Sequence, residues 1–338
     1  MGALAASAAM LLAVLTLRAA DAARERRERP IVARWYEVFA QCAAGAPPAA
    51  PTLHRGDGYL FLRLWNAMQE SLRGEAKERL NSLARNAGAD RLAAAYLTSR
   101  DVRKELIGIL TLGNLREPGA GKAMEARVTH RLPVVSLRAA QALVRIEGER
   151  ALPLVLRYAA ERVDWPLPRI INLLRELDPT QVSGHLAQAI EGALLASAAP
   201  ERATRLLRLH DTAQPEVLRP AVQRALATAH EAETLAAALA ALRDPDDIAY
   251  ARRLVAHAAW PVRLQAAYAI RRVGSLADLP LLSRLLGDPS WWVRYRAAQA
   301  IVAFPGLSAT QVAEIGAGLS DRFASDALRQ AAAEQERA

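Results

Sequence analysis

The sequence predicts an all-α fold: an α-solenoid of stacked helical hairpins preceded by a single membrane-spanning helix. Three observations carry this reading. The chain is 52% hydrophobic but only 5% aromatic, and Ala and Leu, both helix formers, outweigh the β-branched residues that strands favour. A stripe of apolar residues with helical period recurs along the body. The opening stretch, Met1 to Leu17, carries no charged side chain.

The elements follow in order. The uncharged run, extended through Arg18 to Ala20, approaches the roughly 20 residues that span hydrocarbon, and Arg18 can snorkel to the interface. The segment 18–34 holds Arg18, Arg24, Arg26, Arg27, Arg29 and Arg34 against Asp21, Glu25 and Glu28, a local charge of +3 within the chain's +9. The Arg-rich side of an anchor stays cytoplasmic, which places the body on the inner face of a cytoplasmic membrane. Two alternatives stay open: a cleaved signal peptide, which would lack the usual basic start, and an Ala-rich soluble helix or misassigned start. Residues 1–23 are therefore read as anchor. Residues 24–55 are read as an Arg-rich juxtamembrane segment with a short helix and a Pro-rich linker.

Pro30 is expected to stop a helix continuing from the membrane. Ile31, Trp35, Val38, Phe39 and Cys42 then share one helical face. That face either lies on the bilayer, with Trp35 and Tyr36 at headgroup level, or packs on the body. Cys42 is the only cysteine; it excludes an intramolecular disulfide and a cysteine zinc site and reads as an inert core thiol. Gly45 to Gly56, with Pro47, Pro48 and Pro51, reads as linker.

The remainder repeats. Trp291-Trp292-Val293-Arg294-Tyr295-Arg296-Ala297-Ala298-Gln299-Ala300-Ile301 echoes the earlier Trp260-Pro261-Val262-Arg263-Leu264-Gln265-Ala266-Ala267-Tyr268-Ala269-Ile270. The last copy's apolar skeleton is Val293, Ala297, Ala300, Ile301 and Phe304. Equivalent offsets give copies anchored at Val102, Val135, Leu218 and Val262, with a weaker one at Leu167, Ile171 and Leu174. Such offsets describe one stripe of a helix, and the small Ala and Gly positions allow close helix contact. The intervals from Val102 to Val135, Val135 to Leu167 and Val262 to Val293 are nearly equal, whereas Leu167 to Leu218 and Leu218 to Val262 are longer. Second amphipathic helices lie between the anchors, so each unit is a hairpin that buries its stripe only by stacking.

These segments resemble the HEAT-repeat family, on the strength of Asp288-Pro289-Ser290-Trp291-Trp292-Val293-Arg294 and Arg296 to Ile301 with their earlier counterparts. The resemblance covers about residues 97–305. Residues 56–100 read as divergent N-terminal repeats, and 101–338 as the solenoid with capping helices. The two long intervals depart from the family's period and imply inserted turns or an extra helix. A narrower likeness rests on the anchor, the Arg-rich stretch, Leu64-Trp65-Asn66, Glu70-Ser71-Leu72-Arg73 and Asp321-Arg322-Phe323-Ala324. These resemble membrane-anchored bacterial HEAT-repeat proteins that accompany exopolysaccharide glycosyltransferases, and would imply an accessory role.

No chemistry is written in the chain. The six histidines, His54, His130, His185, His210, His230 and His257, never pair at i+3 or i+4, so no helical zinc site forms. No phosphate-binding or nucleophile motif occurs; Gly119-Ala120-Gly121-Lys122 lacks the remainder of a phosphate loop. The expectation is a non-enzyme with no cofactor, metal or small-molecule substrate. An Arg-over-Lys bias in an Ala-rich chain often reflects GC-rich coding, which discounts the pI of 10.2 as a nucleic-acid signal.

Arg103, Arg263 and Arg294 occupy one repeat position, and Asp101, Asp164 and Asp288 precede the motif helices. They form either an Asp–Arg ladder with helix caps or a basic stripe on the concave face for an acidic partner or nucleic acid. Trp165, Trp260, Trp291 and Trp292 enter those helices and either pack at repeat edges or form an apolar rim. Trp65 sits in an apolar stretch and is expected in the core. The candidate partner-binding residues are Trp291, Trp292, Arg294, Tyr295, Trp260 and Arg263, and the expected partner is a membrane-associated protein. The alternative is a nucleic-acid binder using a basic concave face.

Overall fold

Ala, Leu and Arg build helices throughout. A computed structural model describes residues 25–46, 53, 56–196, 199–335 and 337; its regular structure is α or 3-10 helix, and no strand occurs among the described residues. The predicted anchor, residues 1–23, lies outside them. No helix among the described residues is long and apolar enough to cross a membrane. The chain divides into two compact units, Met1–Gly148 and Glu149–Ala338.

The first unit begins with α1 (25–43), which runs through Pro30. The expected stop there is absent: the described helix continues through Pro30 to residue 43. Trp35, Phe39 and Cys42 are buried. Their face meets Phe61 of α2 (Gly58–Ser71), with ring centroids 4.5 Å from Trp35 and 5.7 Å from Phe39. The bilayer-surface alternative for this face is thereby overturned. Burial pushes the Cys42 thiol pKa up, against the pull of Arg79, as expected of an unreactive thiol. Arg79 of α3 (Gly74–Asn86) donates to the Cys42 and Ala43 carbonyls at 3.2 and 2.7 Å and so caps the end of α1.

Trp65 is fully buried and its indole donates to the Leu80 carbonyl at 3.1 Å. α4 (Ala89–Tyr96), α5 (Val102–Leu115), α6 (Gly121–Val128) and α7 (Pro133–Glu147) complete the unit as two hairpins, with α5 stacked on α7. Glycine sets that stacking distance. A Cβ on Gly113 would lie 2.8 Å from the Ala142 Cβ, closer than side-chain carbons approach. The expected stripe on α5 is rotated: Val102 is exposed, and Ile109, Leu112 and Leu115 are buried. On α7, Val135, Ala139, Ala142 and Leu143 are buried as the repeat requires.

The second unit contains α8 (Leu152–Glu161), α9 (Leu167–Leu174), α10 (Pro179–Leu195), α11 (Pro200–Leu207), α12 (Pro215–Thr228) and α13 (Ala232–Ala241). It continues with α14 (Ile248–Leu254), α15 (Trp260–Val273), α16 (Leu279–Leu285), α17 (Trp291–Val302), α18 (Ala309–Ala317) and α19 (Arg322–Gln335). From α10 onward these pair as hairpins, and the second helices α11, α13, α15, α17 and α19 stack successively. Val262, Ala266, Ala269 and Ile270 on α15 are buried, as are Val293, Ala297, Ala300 and Ile301 on α17.

The irregular intervals now have a physical cause. The anchors Leu167, Leu218 and Val262 fall on α9, α12 and α15, so each long interval contains three helices instead of two. α12 is the first helix of its hairpin and stacks on α10, whereas α15 is a second helix and stacks on α13. The Leu218 copy is therefore out of phase with the Val262 copy. On α9 the buried residues are Ile170, Leu173 and Leu174, a face rotated from the expected Leu167, Ile171 and Leu174. α9 is short, and the longer α10 next to it buries Val182, Leu186 and Ile190.

Candidate partner-binding site

The candidate residues occupy the entrances of α15 and α17. Trp260 is the first residue of α15, and Trp291 and Trp292 open α17. Adjacent helical residues point about 100° apart. Because Val293 and Ala297 face the core, neither indole of α17 can follow them inward. Trp260 is 44%, Trp291 49% and Trp292 58% exposed. The Trp291 ring stacks on Tyr295 one turn later, centroids 5.1 Å apart and planes 7° apart. Trp292 meets Trp291 edge-on at 5.0 Å. None of the three indole N–H groups has a protein acceptor among the described residues.

Trp165 behaves differently. It stands ahead of Pro166 and outside α9, and it is fully buried, with Arg205 donating to its carbonyl at 3.0 Å. Sequence grouped it with the other three because Trp165-Pro166 copies Trp260-Pro261. In α15, however, both residues lie inside the first turn.

One aromatic was missed. Phe323, near the start of α19, is 68% exposed, and the Arg294 guanidinium sits 5.7 Å from its ring centroid. Phe323 stands as far beyond Trp292 as Trp291 stands beyond Trp260. That spacing was the available signal.

The two candidate arginines belong to a ladder. Arg263 forks onto Asp288 at 2.6 and 2.8 Å and also donates to the His257 and Ala258 carbonyls. Arg294 pairs with Asp321 at 3.2 Å and donates to the Asp288 carbonyl. A parallel rail joins the first helices: Arg219 pairs with Asp247 at 2.9 Å, and Arg252 with Asp278 at 2.6 Å. Each rung ties one repeat to the next. Burial works to raise the Asp288 pKa, but the Arg263 fork and the Ser290 N–H outweigh it and hold the carboxyl below the usual carboxylate range. The Arg252 fork does the same for Asp278. Arg103 instead pairs within its own repeat with Asp101, whose side chain caps α5 by accepting from the Arg103 N–H at 2.9 Å.

Other arginines reach back to carbonyls at neighbouring helix ends. Arg127 donates to Leu97, Arg205 to Ala159 and Arg162, Arg253 to Leu226, and Arg85 to Leu115. Such contacts satisfy orphan carbonyls. Of the six candidate residues, the structure leaves Trp260, Trp291, Trp292 and the Tyr295 ring as accessible surface and engages Arg263 and Arg294 internally. Among the described residues no three His, Cys, Asp or Glu side chains gather as a metal set.

The architecture is that of a helical-repeat fold. Residues 228–302, from the end of α12 through α17, match the family model for HEAT repeats. Kap121p bound to RanGTP is similar over 90% of this chain and 41% of its own, with 14% identity and a TM-score of 0.50. Kap121p bound to Pho4p has 13% identity, covers 89% and 41%, and has a TM-score of 0.48. An engineered protein has 15% identity, covers 82% and 85%, and has a TM-score of 0.36. The chain thus spans about two-fifths of the Kap121p chains, and the likeness is one of fold. No curated protein sequence matches this chain.

Proposed function

We propose that this protein is a non-catalytic scaffold that binds a protein partner through the aromatic edge formed by Trp260, Trp291, Trp292 and Phe323. The observation that supports it is the exposure of Trp291 and Trp292 beside Tyr295. Large aromatic rings with free indole donors, carried on a rigid stack, suit a buried hot spot. Residues 1–23 would tether the body to the inner face of a cytoplasmic membrane, where the partner would also reside. In that setting the chain would serve as an accessory to a glycosyltransferase of polysaccharide synthesis.

The test is crosslinking in isolated membranes with Trp291→Ala and Trp292→Ala, each checked for melting temperature. Loss of the crosslinked partner at unchanged melting temperature is expected. Unchanged crosslinking in both variants would remove this edge as the contact. Deleting residues 1–23 should release a folded body from membranes; recovery of a shortened periplasmic form would replace the anchor with an export signal.

A further inference from the structure

We infer that the cleft between α15, α17 and α19 receives a carboxylate side chain from an acidic segment of the protein partner. This rests on the partner-binding reading above and names the chemistry the partner brings.

The cleft has a volume of about 330 Å³ and is lined by Tyr268, Arg271, Arg296, Gln299, Glu334 and Gln335, among others. It adjoins the aromatic edge through Tyr295, whose hydroxyl donates to Glu334. The ladder arginines of this unit each have an Asp. Arg271 and Arg296 have no carboxylate partner among the described residues. Arg296 donates to the Tyr268 hydroxyl at 2.6 Å and to Gln299 at 2.8 Å, and its guanidinium lies 4.3 Å from the Tyr268 ring centroid. Arg271 approaches the same ring at 5.5 Å. One tyrosine thus holds two guanidinium groups in one cleft, and neither is ion-paired among the described residues.

Arg272 adds to the positive field. It donates to the Leu239 carbonyl at 2.8 Å, while its Nε is buried without a partner. Burial, then the charges of Arg243 and Arg271, pull its pKa down to about 10, so it stays charged at neutral pH. Among the described residues only Arg243 of this group has a carboxylate, Asp211 at 3.2 Å.

Glu334 does not serve as the missing anion. Its carboxylate accepts from Tyr295 and from Gln330 and forms no ion pair with either cleft arginine. Its position also selects the ligand. A nucleic acid needs a run of phosphate contacts for useful affinity, and a fixed carboxylate on the rim opposes that run. A single planar carboxylate fits the guanidinium fork, and the Gln335 amide on the cleft wall offers hydrogen bonds to adjoining peptide groups.

The probe is a short fluorescein-labelled peptide carrying one central glutamate, titrated by anisotropy at low salt against the full chain. Arg271→Ala and Arg296→Ala should each weaken binding by about tenfold, the scale of one charge-assisted hydrogen-bonded contact. Arg284→Ala, an exposed arginine on α16 outside the cleft, should leave it unchanged. Melting temperatures identify variants that fail to fold, and Arg296→Lys, which keeps the charge but loses the fork, should recover part of the loss. Binding unchanged in the Arg271→Ala, Arg296→Ala double variant overturns the inference. So does duplex DNA that binds more tightly than the peptide and is lost with the same variants. Crosslinking that depends on Trp291 but not on these arginines overturns the cleft and leaves the aromatic edge. Peptide binding through the arginines, with crosslinking insensitive to every variant, keeps the cleft and removes the partner reading.

Discussion

The tryptophans separate two regions of the molecule. In the first unit, Trp35 and Trp65 have no exposed surface; one packs on Phe61, the other satisfies its indole on a backbone carbonyl. In the last repeats, Trp260, Trp291 and Trp292 keep about half their surface in water. The cores differ accordingly. The first unit fills irregular space with large rings and a buried amide network, in which Asn66 donates to Thr111 at 2.8 Å and Asn114 donates to Asn66 at 2.7 Å. The last repeats close mainly over Ala, Val, Ile and Leu and are tied by recurring Arg–Asp rungs. A core of aliphatic residues needs no tryptophan, so the tryptophans there are free for other work.

The largest expected effect breaks the first region. Trp65→Ala should cost about 3–5 kcal/mol, the range for emptying a large aromatic from a core, and it also removes the indole hydrogen bond to the Leu80 carbonyl. Chemical denaturation would measure it; a cost under about 1 kcal/mol, the scale of an ordinary substitution, would mean the ring does not support the unit. Next comes the ladder. Asp288→Ala removes the partner of a mostly buried arginine and the acceptor of the Ser290 N–H. Stranding a buried charge is costly, and about 2–4 kcal/mol is expected. Asp288→Asn, which keeps an acceptor, should lose less.

The ladder also carries a pH signature. Asp278 and Asp288 are held below the ordinary carboxylate range. Their contribution is present above the unfolded carboxyl pKa of about 4 and is lost as pH falls through the depressed folded values. The melting-temperature gap between the parent and Asp288→Asn should therefore be constant from neutrality to about pH 5 and narrow below about pH 4. A gap that widens in acid would contradict the sign.

Ala297→Leu should cost about 1–3 kcal/mol by overpacking, since Ala297 is fully buried between stacked helices. A neutral result there and at Ala266 would undo the register of α15 and α17.

That register was legible because α15 and α17 present the same Val, Arg and Ala positions in consecutive repeats. The α5 stripe was less so: Val102 matches the repeat in identity, but the packed face turns toward Gly108, Ile109 and Leu112, where glycine allows contact. The phase of α12 was not legible at all. Both helices of a hairpin carry an apolar stripe of the same period, and period does not say which row a helix joins. The exposure of Trp291 or Trp292 followed from helical geometry alone. The Arg271–Arg296 cleft did not, because it assembles from three helices that only stacking brings together.

The smallest expected effect bears most on the second region. Trp292→Ala should change stability by less than about 0.5 kcal/mol, as for surface positions generally. The ring is 58% exposed, and its one aromatic contact is the edge of Trp291. Trp291→Ala should cost slightly more, because it also unstacks Tyr295. If Trp292→Ala instead lowered stability as Trp65→Ala is expected to, the indole would be folded over the loop at Pro289 and the two regions would use tryptophan alike. A neutral Trp292→Ala with diminished crosslinking to the partner would sharpen the contrast: tryptophan as core in the first unit, tryptophan as contact surface in the last repeats.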